Sequence, residues 1–339
     1  MQSEVARDIA GQMRLELSPI ERARLTDARR VNPAAYDAFL KGRQQLTRAN
    51  REGIDRAIAA FRAAIDIDPS YAPAWAGLSI AYADMMIWGG AGRGSLATQQ
   101  RAAIDRALAL DPNLSDVQLA LARLRSDYDW DWAEAERAFK RALELNPSSA
   151  DGYYGYAYFL QARGRDDEAL VLIRRATRLD PLSPHFLSGE GRILYRMRRY
   201  EEALARYHRA LQLDPAYQPA LSRVVEVYRD ERRFDEARRA LRELESRGAD
   251  VGRQRVQRAL LAAAEGRRED ALRDAENGTD ETLAFVWAYL GDPDKAIRHL
   301  TRAVHGRTIF PFQLRDPGLD PLRNTPRFKA LMREVGLPG

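Results

Sequence analysis

Residues 141–147 read RALELNP. The same phrase, A-x-x-[IL]-[DN]-P, returns as AAIDIDP at 63–69, RALALDP at 106–112, RATRLDP at 175–181 and RALQLDP at 209–215. The closing residues Pro69, Pro112, Pro147, Pro181 and Pro215 are spaced by 43, 35, 34 and 34 residues. Five copies at a nearly constant period mark an internal repeat, and a repeat takes precedence over any count of domains by length.

Upstream of each proline the residues recur at helical spacing. Ala169, Ile173 and Ala176 precede Pro181, and Ala203, Tyr207 and Ala210 precede Pro215. Gaps of four and three put each trio on one helix face. Alanine at two of the three places lets a neighbouring helix approach closely. Each proline ends its helix, because it has no N–H and disfavours helical geometry just before it. A second pattern opens each repeat: Trp75, Leu78, Ser79 and Tyr82; then Tyr153, Tyr156, Ala157 and Leu160 before Gly164; then Leu187, Gly191 and Leu194; then Leu221, Val224, Val225 and Tyr228. The unit is therefore a helix, a small or basic turn, and a second helix.

This pattern of about 34 residues resembles the tetratricopeptide repeat (TPR). The full pattern covers 72–249 and extends to about 31–305. Repeat one carries Tyr36, Phe39, Ala57, Phe61, Ala64 and Pro69, with extra residues in its turn; repeat seven, with Ala259, Gly266 and Ala271, lacks the proline; repeat eight has Leu283, Ala284, Trp287, Gly291, Ala296, Leu300 and Ala303. The resemblance implies an all-α fold, a right-handed α-solenoid of about eight TPR-like helix-turn-helix repeats with helical caps. Three parts are expected: an N-terminal helical segment at 1–30, the array at 31–305, and an irregular segment with a C-terminal capping helix at 306–339. Ser18-Pro19-Ile20-Glu21 reads as a capping box, and Thr325-Pro326 as the start of a last helix ending near Gly336. The segment between, IFPFQLRDPGLDPLRNTP, should cover the final repeat.

The flanks QSEVARDIA, LSPIERARL and VNPAAYDAFLKGR, the stretch YDWDW, and the ending DPLRNTPRFKALMREVGLP resemble a bacterial group of signalling proteins. In that group the array follows an effector domain such as a winged-helix regulator, a protein kinase or a nucleotide cyclase. YDWDW, Tyr128–Trp132, falls at the turn of repeat three. Asp131-Trp132-Ala133-Glu134 reads as a capping box, with one tryptophan packed under the turn and the other against the next repeat or solvent.

Composition narrows the function classes. The 339 residues include no Cys, which removes disulfides, thiolate metal sites and Cys nucleophiles. Of the 54 basic residues 50 are Arg, and the net charge is +5. These arginines are spread along the chain among Asp and Glu, unlike the one-sided patch of a nucleic-acid binder. No apolar run approaches the ~20 residues of a membrane span, and the first residues do not read as a signal peptide. The chain is expected to be cytoplasmic, or periplasmic if a membrane segment precedes it.

No enzyme motif emerges. The four His, 185, 208, 299 and 305, form no H-x-x-x-H with a Glu. Gly89 to Ser95, GGAGRGS, lacks the G-K-[ST] ending of a phosphate loop and reads as a mobile loop inside repeat two. Asp166-Asp167-Glu168 reads as a helix start, where acids are favoured. No catalytic residue, metal or cofactor is expected.

The resemblance places the first helices on the concave face. The residues it turns into the groove are Arg123 from repeat three; Asp151, Tyr154, Tyr158 and Gln161 from repeat four; His185, Ser188, Arg192, Tyr195 and Arg196 from repeat five; and Ser222, Glu226, Arg229 and Asp230 from repeat six. Tyr and Arg are enriched in binding hot spots, and Arg reads carboxylates bidentately. The expectation is a non-catalytic scaffold that binds an extended or helical protein segment of acidic or aromatic character. The Lys/Asn/Arg set of chaperone-tail clamps is not reproduced. Helical-repeat RNA binding and self-assembly are the alternatives.

Overall fold

The computed structural model describes residues 32–88 and 93–338. The expected helical segment at 1–30, its capping box and Gly89–Gly92 lie outside the described residues. Arg93, Gly94 and Ser95, expected in a loop, open a helix instead.

All five repeat phrases end their helices in one way. Ala64, Ala107, Ala142, Ala176 and Ala210 are fully buried. Each accepts, through its carbonyl, the backbone N–H of the Asp or Asn four residues on, at 2.9–3.1 Å. The side chains of Asp68, Asp111, Asn146, Asp180 and Asp214 then accept the N–H two residues further, at 3.0–3.3 Å. This turn explains why Asp or Asn stands before every proline: the short side chain replaces the next helical acceptor. Three residues before that alanine stands a large buried side chain, Phe61, Ile104, Phe139, Ile173 or Tyr207.

Eight helix pairs follow one another: α1 (Pro33–Leu46) and α2 (Arg51–Ile67); α3 (Ala72–Trp88) and α4 (Arg93–Leu110); α5 (Ser115–Leu124) and α6 (Trp132–Leu145); α7 (Ala150–Ala162) and α8 (Asp166–Leu179); α9 (Pro184–Arg196) and α10 (Tyr200–Leu213); α11 (Gln218–Asp230) and α12 (Phe234–Ser246); α13 (Val251–Ala264) and α14 (Arg268–Asp274); α15 (Asp280–Tyr289) and α16 (Pro293–His305). The seventh pair, weak in sequence, has a second helix of only 7 residues. Consecutive first helices touch one another, whereas consecutive second helices do not make comparable contact. The first helices are thus the inner layer of an all-α solenoid. None of the described helices is long and apolar enough to cross a membrane.

The turn between paired helices needs one residue at positive φ. Gly164, Gly266 and Gly291 supply it in repeats four, seven and eight, at φ 78°, 78° and 73°; Trp130, Arg198 and Arg232 hold it at 60–61° in repeats three, five and six. In repeat three α5 runs first into a π-helical turn, Arg125–Asp129, before Trp130.

After α16 the chain does not stop at the last repeat. Two 3-10 turns, Pro311–Arg315 and Pro317–Leu322, lead to α17 (Pro326–Glu334), capped by Thr325 as expected. The second turn packs on α15 and the first on α7, nearly half the chain away. Phe310 and Phe312, stacked at 5.2 Å, enter a buried cluster with Ala83, Met86, Ala97 and Ala162. The segment expected to cover only repeat eight therefore also covers repeats two to five. Met86 is buried beneath it while Ile87 stays exposed.

YDWDW is the other half of this closure. Both tryptophans pack on the C-terminal cluster. Trp132 donates Nε1–H to Val335 O at 2.9 Å, and Arg307 lies 3.8 Å over the Trp130 ring while donating to Tyr128 O at 2.5 Å. Asp131 caps α6 by accepting the Glu134 N–H at 3.1 Å. The reciprocal half of the expected box is replaced: the Asp131 N–H goes to Arg125 O at 2.9 Å and Glu134 pairs with Arg137.

Candidate functional site

The inner layer encloses a cavity of about 740 Å³, lined by first helices from α1 to α13 and, on one side, by Pro311 and Phe312. That size falls in the range of pockets that enclose small ligands or side chains. Its wall is rich in rings and guanidinium groups.

The centre is an aromatic stack. Tyr154 lies 4.2 Å from His185 and 4.6 Å from Tyr158, centroid to centroid. His185 Nδ1 is 3.3 Å from Tyr217 Oη. Burial pushes the His185 imidazole below its ordinary value. Tyr158 meets Phe312 edge-on at 6.0 Å. Phe186 and Ile173 stand behind, and Gly189 lets Tyr154 lie flat: a Cβ there would sit 2.6 Å from its ring.

One end of the cavity carries acid–base pairs. Arg123 donates to Asp84 at 2.8 Å and reaches Asp127 at 3.7 Å. Arg43 of α1 meets Asp151 of α7 at 3.3 Å across the opening, both half exposed, a contact worth at most about 1 kcal/mol. The other end is basic. Arg223 pairs with Glu226, whose second partner is Gln257 at 3.1 Å. Arg192 lies beside them with its guanidinium 5.3 Å over Tyr158 and 4.4 Å over Phe312.

The expected groove residues thus separate into two groups. Arg123, Tyr154, Tyr158, His185, Ser188 and Arg192 line the cavity, as does Asp151 at its mouth. Gln161, Tyr195, Arg196 and Arg229 are instead buried by the chain's own later segments. Arg196 donates Nε–H to Asp316 at 2.5 Å and Nη1–H to Gln161 at 2.9 Å, and Gln161 donates to Ile193 O at 3.2 Å. Asp230 accepts from Tyr195 and Tyr289, each at 2.5 Å, and from Arg229 at 2.9 Å. These networks fasten the C-terminal segment and repeat eight to repeats four to six. Arg196 is consumed because a buried guanidinium must find a carboxylate or pay a large desolvation cost.

Among the described residues no group of three or more His, Asp or Glu side chains is placed to hold a metal ion. The acids Asp166 and Glu168 open α8 as expected; Glu168 pairs with Arg165, and Asp166 accepts from Arg315 of the C-terminal segment at 2.8 Å.

The tetratricopeptide-repeat family profile matches residues 131–193 and 194–264, the stretch that supplies most of this wall. Residues 131–264 are tetratricopeptide repeats. The helix pairs on either side continue the same helix-turn-helix architecture. No curated protein matches the chain. The human IFIT1 dimer with m7Gppp-AAAA is 17% identical, covers 80% of this chain and 72% of its own, and superposes with a TM-score of 0.55, a likeness of fold. PilW, a type IV pilus biogenesis factor, is 20% identical over 66% of this chain and 98% of its own, with a TM-score of 0.46. Pseudomonas aeruginosa pilF is 21% identical over 59% and 89%, with a TM-score of 0.42.

Sequence reasoning missed Arg223 and Tyr217 of the array, and Phe312 of the C-terminal segment, as parts of the wall. Arg223 sits one position after Ser222 and pointed into the groove only once the helix rotation was known. Phe312 had a signal in IFPF, two aromatic residues in a segment without helical periodicity. Such residues must bury themselves against something distant.

Proposed function

We propose that the protein is a non-catalytic interaction scaffold that binds a protein segment in the inner groove. Its ligand is an acidic segment carrying an aromatic side chain, and its main contacts are Tyr154, Tyr158, His185, Arg192 and Arg123. The observation that carries this reading is the open cavity of about 740 Å³, walled by stacked rings and a guanidinium. Rings bury large area at low entropic cost, and guanidinium groups add direction. The groove also holds one protein segment already, the chain's own residues 309–323, through a phenylalanine and an aspartate. The resemblance of the flanks supports a sensory or interaction role in a bacterial signalling or transcription-regulatory protein.

RNA binding fits less well. Many arginines of the outer helices sit in ion pairs three or four residues apart, as Arg56–Glu52, Arg141–Glu144 and Arg199–Glu202 do. Such pairs do not offer a continuous phosphate track.

The test is selection of peptides from a displayed random library on the intact chain, followed by titration against two variants. Asp151→Trp fills the mouth of the groove at a half-exposed site and is expected to abolish binding. Val171→Asp, on the outer face where Val171 is 64% exposed, should leave it unchanged. Peptides that bind Asp151→Trp as well as the native chain would place recognition elsewhere. Binding of single-stranded RNA with steep salt dependence, and of no peptide, would replace the reading.

A further inference from the structure

This inference rests on the groove reading and names what anchors the ligand there. On α9, Arg196 and Arg192 are one helical turn apart and share a ring: their guanidinium groups lie 5.0 and 4.4 Å from the centroid of Phe312. Arg196 has its carboxylate, Asp316, four residues after Phe312 on the same segment. Arg192 repeats the arrangement with the acid missing. It lines the cavity, which Arg196 does not. Its Nε is buried without a hydrogen-bond partner. The neighbouring carboxylates are engaged, Asp316 with Arg196 and Glu226 with Arg223.

We propose that Arg192 is the anchor for a carboxylate of the bound segment, presented beside an aromatic side chain that joins the Tyr154–His185 stack. A guanidinium held between the Tyr158 and Phe312 rings is pre-positioned, and its planar fork offers a carboxylate two donors side by side. The local field asks for an anion as well: burial first, and then the charges of Arg223 and Arg196, bring the Arg192 guanidinium down to about 10. An incoming carboxylate relieves both costs. The site is shared between two parts of the chain, since Phe312 comes from the C-terminal segment. The chain's own Phe312 and Asp316 on Arg196 show the chemistry that Arg192 would take from a partner.

The probe is the peptide acetyl-FQLRD-amide, compared with acetyl-FQLRN-amide, by calorimetric titration of the full chain. The acid is expected to bind at least tenfold more tightly than the amide form. Arg192→Gln should erase that preference with an unchanged unfolding temperature, and the exposed control Arg178→Gln should keep it. Should Arg192→Gln fold poorly, Arg192→Lys keeps the charge and loses the fork, and the preference should fall severalfold. Equal binding of the two peptides, a preference retained in both Arg192 variants, or displacement of the peptide by equimolar inorganic phosphate would overturn the proposal. Library peptides that still bind the groove while the acid preference is absent remove the anchor alone. Loss of all groove-dependent peptide binding removes the groove reading itself.

Discussion

Trp132 donates its indole N–H to the carbonyl of Val335, 203 residues later, at 2.9 Å. The bond ties the turn of the third repeat to the end of α17. Arg163 covers the same ring at 5.4 Å and donates to the Gly336 carbonyl, and a Cβ on Gly336 would meet the indole at 2.8 Å. An open solenoid depends only on neighbouring repeats; here the ends of a long stretch are fastened together, and the groove acquires a fixed side wall. Trp132→Phe removes the donor and keeps the ring. It should cost about 1–2 kcal/mol, the price of leaving a carbonyl without its partner. Hydrogen exchange should rise in residues 326–337 and stay unchanged in α1 and α2. Equal protection of the C-terminal helix in both proteins would show that this bond does not hold it.

Glu136 joins repeats three and four. Its Oε1 accepts from Arg165 at 2.8 Å, Lys140 at 3.0 Å and Tyr156 at 3.1 Å. Burial alone would push the carboxyl up, but these three hydrogen bonds outweigh it and hold it at about 2. A depressed carboxyl stabilises the fold fully above its unfolded value near 4.5, and that contribution is lost as pH falls towards 2. The difference is about 3 kcal/mol at most. Glu136→Gln should therefore be less stable than the native chain at pH 7, with the gap closing between pH 4.5 and 2. Denaturant titration at several pH values reads this directly; a gap that does not change with pH would contradict it.

Arg232 occupies the left-handed turn position at φ 60°, where repeats four, seven and eight have glycine. A side chain costs about 1 kcal/mol in that conformation. Arg232 is exposed, and its guanidinium lies 5.6 Å from the Phe234 ring, a weak contact at an exposed site. Arg232→Gly is expected to gain about 0.5 kcal/mol after glycine's larger unfolded-state entropy is subtracted. Loss of stability would mean that the Phe234 contact outweighs the backbone strain.

The repeat was legible because its determinants are local. Alanine, the large residue three before it, and Asp or Asn before proline all act within one helix and its turn, so periodicity exposed them and gave the helix pairs. The closure was not legible. Trp132 and Val335, or Arg196 and Asp316, lie 120 or more residues apart, and no spacing rule connects such pairs. The same distance explains the groove. Helix rotation turned both Arg192 and Arg196 inward, but only the path of the C-terminal segment decides that Asp316 takes one and leaves the other. Two aromatic pairs, in YDWDW and in IFPF, carried a usable signal: rings without helical spacing need a distant surface.

Asp131, between the two tryptophans of YDWDW, caps α6 by accepting from the Glu134 N–H at 3.1 Å. Asp131 does not line the cavity, whereas Trp132 at the next position does. Loss of a helix N-cap costs about 1 kcal/mol, and the reciprocal glutamate bond is absent here, so nothing adds to that value. Asp131→Ala should lower the unfolding midpoint by this amount and leave peptide affinity in the groove unchanged. A larger loss would show that the cap also sets the angle at which Trp130 and Trp132 meet the C-terminal helix, and exchange in residues 326–337 would rise with it. Unchanged stability together with weakened peptide binding would make the stretch part of the ligand site after all.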